Sequence, residues 1–90
     1  MRTQEEILDV LRSAFKPRRC QAEAGDFKRG FRLLVLRPDD SKLIEFPGDG
    51  WYPFALVVGN DAELERIVKS VRRQVEEEHG FKLDPLATDH

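Results

Sequence analysis

The chain has 90 residues and a mass of 10.4 kDa, which suits one domain with one core. Charged residues make up 36% of it, above the roughly 25% of a typical soluble domain. Because 15 Lys and Arg nearly balance 17 Asp and Glu, the net charge is only -2. The composition therefore excludes a polybasic or polyanionic chain and disfavours intrinsic disorder.

Targeting and redox signals are sparse. The longest apolar run, Phe54 to Val58, is far shorter than the roughly 18 residues of a membrane span. The N-terminal residues lack the apolar stretch of a secretory signal, so we expect a soluble cytoplasmic protein without a membrane partner. Cys20 is the only cysteine, which excludes an internal disulfide and a cysteine-based zinc site in the monomer.

The first predicted element is a helix that begins at Gln4. Thr3 and Glu6 have the spacing of a capping box, in which each side chain binds the backbone N–H of the other residue. Apolar residues then recur at helical spacing, and polar ones, Arg12 among them, are predicted to face water. Pro17 ends the helix near Phe15.

Two strands are predicted next. Between Arg18 and Ala24 the apolar period is two, with Cys20, Ala22 and Ala24 on the core side. After a turn at Gly25 and Asp26, a second strand covers 27–37. Its run 33–36 is continuously apolar, which predicts a central strand covered on both faces. Gly30 is predicted to mark a bulge or bend.

A hairpin and a loop complete the predicted sheet. Residues 38–41 have the composition of a tight turn, and 42–46 form the returning strand. Pro47 to Pro53 reads as a loop, and Phe54 to Val58 as a fourth, buried strand. The position of that fourth strand within the sheet stays open.

The last predicted element is a helix over 62–79. Asn60 is a favourable N-cap residue, and Glu63 stands three residues later in the capping-box position. Gly80 is expected in the left-handed conformation after the last turn. We expect residues 1–82 to form the domain and 83–90 to form a flexible tail.

This order of elements predicts the fold class. Short turns between the strands favour an antiparallel sheet, and each helix has one apolar face to bury. The prediction is an α+β two-layer sandwich of order α-β-β-β-β-α. Its sheet has three or four strands, and both helices pack on one face.

No catalytic or metal-binding constellation is visible in the sequence. The candidate bases His79 and His90 have no proposed relation to Cys20, which we expect to be a structural core residue. Asp84 and Asp89 lie near these histidines, but the spacing matches no compact ligand motif. We expect no enzyme activity, no metal and no cofactor.

One loop and one group of cations are the candidate binding residues. The loop 47–53 contains Asp49, Trp51 and Tyr52, the last two being the only Trp and Tyr, and it is either a binding loop or a structural turn. Residues 1–37 carry a net charge of +4 and residues 38–90 one of -6. If the first two strands pair, their cations become neighbours beside Phe27 and Phe31; these cations are Lys16, Arg18, Arg19, Lys28, Arg29 and Arg32.

Two functions therefore compete. The first is a small non-enzymatic module that binds another protein, or a second copy of itself, through its sheet face or an edge strand. The alternative is nucleic-acid binding through the basic patch on the first two strands. An enzyme that uses the loop 47–53 is the least favoured, because no base and nucleophile are proposed by spacing.

Overall fold

Two helices and four strands follow one another in the computed structural model, which describes residues 2–25 and 27–86. Their order, α-β-β-β-β-α, confirms the predicted α+β class. The elements in those residues are α1 (Gln4–Ser13), β1 (Cys20–Gly25), β2 (Gly30–Leu36), β3 (Lys42–Phe46), β4 (Tyr52–Pro53), a 3-10 helix (Phe54–Leu56), α2 (Asp61–Arg73) and a π-helical segment (Gln74–Glu78) that extends α2.

The sheet is antiparallel and β2 is its central strand. Strand β1 pairs along one side of β2, from Cys20 opposite Val35 to Gly25 opposite Gly30. On the other side, β3 pairs with the second half of β2 and β4 pairs with its first two residues. Strands β3 and β4 therefore lie in line along one side of β2, separated by the loop 47–51.

Both helices pack on one face of the sheet, as predicted. On β2 this face carries Phe31, Leu33 and Val35, all without solvent exposure. They belong to one core cluster with buried residues of both helices, namely Ile7, Leu8, Leu11, Leu64, Ile67, Val68 and Val71. The prediction that β2 is covered on both faces is wrong. Arg32 and Leu34, on its other face, are only half-buried, because both described helices lie on the opposite side.

The predicted helix ends are confirmed. The Glu6 N–H donates to Thr3 Oγ1 at 3.1 Å and the Thr3 N–H donates to Glu6 Oε1 at 2.9 Å, so the capping box is complete. At the start of α2, the Glu63 N–H donates to Asn60 Oδ1 at 3.2 Å. Gly80 has a φ of +74°, the left-handed conformation expected after the last helical turn.

The predicted fourth strand is displaced. Strand β4 is Tyr52–Pro53, and the residues after it turn into a 3-10 helix. Pro53 has no N–H for a ladder, and the Phe54 N–H donates to Arg29 O at 2.9 Å before the chain leaves the sheet. Phe54 and Val57 are buried three residues apart, which is helical spacing, so their apolar character did not signify a strand.

The start of β2 also differs from the prediction. Residues 27–29 form the hairpin turn, in which Phe27 and Lys28 have positive φ values of 56° and 63°. Phe27 is 91% exposed, whereas Phe31 is fully buried in the core and offers no surface. Gly30 is the first paired residue of β2, and the irregularity of the sheet lies between Val35 and Leu36 instead.

Residues 83 and 84, which the sequence assigned to the tail, pack against the rest of the domain. Leu83 is buried in the core, and its N–H donates to Glu76 Oε2 at 3.3 Å. The Asp84 N–H donates to Lys16 O at 2.7 Å, and Arg72 Nη2 donates to Asp84 O at 2.6 Å. These contacts attach residues 83 and 84 to α2, to its π-helical extension and to Lys16. The rest of the predicted tail, 87–90, lies outside the described residues.

The packing of α2 gives a stability prediction. Ile67 is 1% exposed within the core, so Ile67→Ala should lower the free energy of unfolding by about 2 to 5 kcal/mol. Urea denaturation followed by far-UV circular dichroism measures this loss. Lys69→Ala, on the exposed side of the same helix, is the control and should stay within about 0.5 kcal/mol of the native chain. Equal stability of the two variants would contradict the packing described here.

Candidate functional site

The sheet has an open face on the side away from the helices. Its side chains are set by the strand register, in which Gln21 pairs with Leu34, Glu23 with Arg32, and Leu34 with Glu45. These five residues define the open face. No helix in the described part of the chain covers it.

Trp51 lies on this face, over two glycines at the end of the β1–β2 hairpin. A Cβ atom on Gly25 would lie 2.2 Å from Trp51 Cη2, and one on Gly30 would lie 2.7 Å from Trp51 Cβ. No side chain fits at such distances, so the indole needs glycine at both positions. The sequence predicted a turn at Gly25 and a bulge at Gly30, whereas their shared role is to admit Trp51.

Arg32 joins this cluster. Its guanidinium carbon lies 4.7 Å from the centre of the Trp51 ring, a cation–π contact. Its Nε also donates to Glu23 Oε1 at 2.7 Å, and its Nη2 lies 2.6 Å from the same oxygen. We call Glu23, Arg32 and Trp51 the Trp51 site. Arg32 and Trp51, which the sequence placed in two unrelated candidate groups, are thus in contact.

Tyr52 points to the opposite face of the sheet. Its ring packs against Phe31 and Phe46, with ring centres 5.5 Å and 5.3 Å apart. The Tyr52 hydroxyl donates to Glu63 Oε2, and Arg66 binds both oxygens of the same carboxylate. The Glu63 side chain, which a capping box would bind to the Asn60 N–H, therefore binds Tyr52 instead and attaches β4 to α2.

These contacts shift two pKa values. The hydrogen bonds from Arg66 and then Tyr52 lower the pKa of Glu63 to about 2. The hydrogen bond to Glu63, followed by burial and by the carboxylate charge, raises the pKa of Tyr52. Both groups thus keep one protonation state across the physiological range, which is typical of a structural contact rather than of an acid–base pair.

The six predicted cations do not form one patch. Arg18 and Arg19 precede β1, whereas Lys28 and Arg29 lie in the turn beyond its other end. The five steps along β1 separate the two groups by about 17 Å. The expectation that they become neighbours is therefore wrong, because antiparallel pairing through the turn places them at opposite ends of the hairpin.

Several of these cations already have partners within the chain. The Arg18 guanidinium carbon lies 5.3 Å from the centre of the Phe81 ring, and Arg19 Nη1 lies 2.5 Å from Asp40 Oδ1. Arg32 belongs to the Trp51 site. In the described residues Lys16, Lys28 and Arg29 show no ion pair, and their carbonyls accept hydrogen bonds from Asp84, Gln4 and Phe54 respectively.

Asp49, the third candidate of the loop, is exposed at its tip. It stands between Gly48 and Gly50, whose positive φ values of 95° and 70° form the sharp reversal that returns Trp51 to the sheet. The structure thus places the three predicted loop residues apart, with Asp49 in solvent and the two aromatic residues on opposite faces.

Cys20 and the charged residues offer little for catalysis or metal binding. Burial raises the pKa of the Cys20 thiol to about 12, so its nucleophilic thiolate is scarce at neutral pH. Among residues 2–25 and 27–86, no three His, Cys, Asp or Glu side chains converge as metal ligands. Asp89 and His90 lie outside those ranges. The described helices include none long and apolar enough to span a bilayer.

Arg12 is a polar residue whose role the sequence did not reveal. The helical pattern predicted that it faces water, but its Nε and Nη2 donate to Ala22 O on β1 at 3.2 Å and 2.8 Å. A helical pattern distinguishes the core side from the solvent side, but it cannot show that a strand edge passes within reach of a long side chain.

Comparisons with known proteins give no relative. No protein-family model matches the chain, and no curated protein or solved structure matches it significantly. Its function is therefore inferred from its own residues and their geometry.

The glycines beneath Trp51 give a prediction. Gly25→Ala should displace the indole into water, because the new methyl group takes the space of the ring. The fluorescence emission of Trp51, the only Trp, should shift to longer wavelength, with a stability loss of about 1 to 3 kcal/mol. Gln21→Ala, on the same face of β1, is the control. Unchanged emission in Gly25→Ala would show that Trp51 does not lie on Gly25.

The Glu63 contact gives a pH prediction. Because the folded pKa is about 2 and the ordinary value is 4.5, the contact stabilises the fold fully above about pH 5. This stabilisation should disappear as the pH falls from about 4.5 to about 2. Glu63→Gln, which does not titrate, should be less stable than the native chain at pH 7 and approach it at pH 2. Urea denaturation at both pH values tests this, and a difference that is independent of pH would refute it.

Proposed function

We propose that the chain is a non-enzymatic protein-interaction module that binds a partner protein through its open face. The observation that carries this proposal is the Trp51 site, which stands on a sheet face left uncovered by the described helices. Trp and Arg are the residue types most enriched among the residues that dominate binding energy at protein interfaces. Leu34, half-buried beside Arg32 on β2, adds apolar surface to the same face.

The charges on the open face favour a protein over a nucleic acid. The open face carries carboxylates as well as cations, because Glu23 pairs with Arg32 and Glu45 pairs with Lys42. These carboxylates would repel a phosphate backbone. Two groups of cations in the alternative hypothesis, Arg18 with Arg19 and Lys28 with Arg29, are about 17 Å apart at the two ends of the hairpin. A mixed surface of this kind suits a protein partner with its own complementary charges. Nucleic-acid binding remains the alternative.

The two edges of the sheet are less available to a partner protein than the open face. At the β1 edge, Arg12 occupies the carbonyl of Ala22. Along the opposite edge, Pro47 ends β3 and Pro53 lies in β4, so that edge offers only five residues free of proline. Short and proline-bounded edges limit strand addition, and at the β1 edge Arg12 competes with an added strand for the Ala22 carbonyl. The open face has no such protection in the described residues.

The non-enzymatic part of the proposal is supported by the chemistry of the reactive groups. The Cys20 thiol has a pKa of about 12, and the Tyr52 hydroxyl and Glu63 carboxylate bind each other and Arg66. Nucleophilic or acid–base catalysis needs an available group next to a base or a substrate cleft. Tyr52 and Glu63 instead attach β4 to α2.

A comparative capture experiment tests the proposed function. The bait proteins are the native chain, the double variant Arg32→Ala/Leu34→Ala and the control Lys69→Ala/Arg73→Ala on the exposed side of α2. All three are first shown to melt cooperatively. Each is then incubated with lysate of the organism that encodes the chain, with and without nuclease, and bound proteins are quantified by mass spectrometry.

We expect a partner that both the native chain and the control retain, that survives nuclease, and that the double variant binds at least about tenfold less, which corresponds to 1.4 kcal/mol. Equal capture by all three baits, or no specific capture, would contradict the proposal. Loss of every partner after nuclease treatment would favour nucleic-acid binding instead.

A further inference from the structure

Strand β1 has one edge without a strand partner in the described part of the chain. The Leu36 N–H donates to Arg19 O at 2.8 Å, which identifies this opposite pair as a hydrogen-bonded one. In an antiparallel ladder such pairs alternate, so Gln21 and Glu23 also direct their backbone groups towards β2. The backbone groups of Cys20, Ala22 and Ala24 consequently point outwards, where another strand could pair with them.

Arg12 occupies the middle of this outward row. Two of its nitrogens donate to Ala22 O, and its Nη1 donates to Asp9 Oδ1 at 3.1 Å, which fixes the guanidinium at the strand edge. Beyond it, a groove of about 370 Å³ follows the same edge, with Leu8 of α1 on one side and Ala24 of β1 on the other. The part of the edge around Ala24 therefore has room for an added chain beyond Arg12.

We propose that a second copy of this chain adds to the free edge of β1, antiparallel, and that Arg12 limits this association by competing for the carbonyl of Ala22. The two sheets would then form one continuous sheet across a two-fold axis. The proposal concerns the β1 edge, and it shares one residue, Glu23, with the Trp51 site on the open face.

The charges of Arg19 and Glu23 on β1 favour a second copy as the added strand, and they favour one register of pairing. In antiparallel pairing, directly opposite residues must both have outward or both have inward backbone groups, so only alternate registers are allowed. In one of these, Arg19 faces Glu23 of the second copy and Glu23 faces its Arg19. Opposite charges across a strand pair are favourable, whereas the register that opposes the two Glu23 residues is unfavourable. The favoured register places the two Gln21 residues directly opposite each other on the two-fold axis.

The existing ion pairs are compatible with this register. Arg19 pairs with Asp40, and Glu23 pairs with Arg32, and all four side chains are at least 40% exposed. Exposed pairs of this kind contribute little to stability and rearrange readily. The association would therefore add two Arg–Glu contacts without breaking a buried pair. Its main obstacle is the double hydrogen bond from Arg12 to Ala22 O.

Sedimentation equilibrium tests whether Arg12 and a second copy compete for the Ala22 carbonyl. The protein concentration should run from about 10 μM to about 1 mM, because the association of a weak dimer depends on concentration. Arg12→Ala should lower the dimer dissociation constant at least about tenfold relative to the native chain, because the Ala22 carbonyl becomes available. Arg12→Lys, which keeps the charge but loses the two-nitrogen contact, should lie between them. Arg73→Ala on α2 is the control. A dissociation constant for Arg12→Ala within about twofold of the native value would overturn the proposal.

A disulfide experiment tests the register and covers the case in which Arg12→Ala fails to fold. In a Cys20→Ser background with Arg12 intact, Gln21→Cys should oxidise to a covalent dimer. The two Cα atoms of such a non-hydrogen-bonded pair are about 4.5 Å apart, which is within disulfide range. Glu45→Cys, on β3 of the same face, should remain monomeric under the same conditions. Equal dimer formation by both variants, or none by Gln21→Cys, would refute pairing through β1.

Discussion

The structure depends on a sheet that is buried from one side only. Phe31, Leu33 and Val35 of the central strand are fully buried, and both described helices supply the apolar residues that cover them. In residues 2–25 and 27–86 both helices lie on that one side, so the other face of β2 stays half-exposed. Every candidate surface follows from this arrangement, because the open face, the loop that reaches it and the free edge of β1 all lie outside that single core.

The loop between β3 and β4 connects the two sides of the sheet. Trp51 packs on the open face over Gly25 and Gly30, while the next residue, Tyr52, packs on the core side and binds Glu63 of α2. Adjacent residues of a strand point to opposite faces, so a single short strand anchors the loop in both layers. This anchoring holds Trp51 beside Arg32, and it presents an ordered aromatic and cationic surface without placing either side chain in the core.

The open face and the β1 edge offer two different kinds of contact. The face presents side chains, in a mixture of charged, aromatic and apolar groups that suits a partner with a complementary surface. The edge presents backbone groups, which pair with any extended strand and therefore need protection when no strand is bound. Arg12 provides that protection through the Ala22 carbonyl, at the position where an added strand would form its hydrogen bonds. Within one small sheet, the open face thus offers side-chain contacts and the β1 edge offers backbone hydrogen bonds.

The sequence by itself determined the fold class, the capping boxes or N-caps of both helices, the β2–β3 hairpin and the left-handed Gly80, because each depends on residues close in the chain. Tertiary structure decided the rest. A short apolar run such as the one from Phe54 to Val57 is compatible with a buried strand and with a 3-10 helix. The local pattern therefore could not distinguish the two structures. The contact of Trp51 with Arg32, and of Arg12 with Ala22, joins residues that are 19 and 10 positions apart, and only the packed sheet brings such residues together.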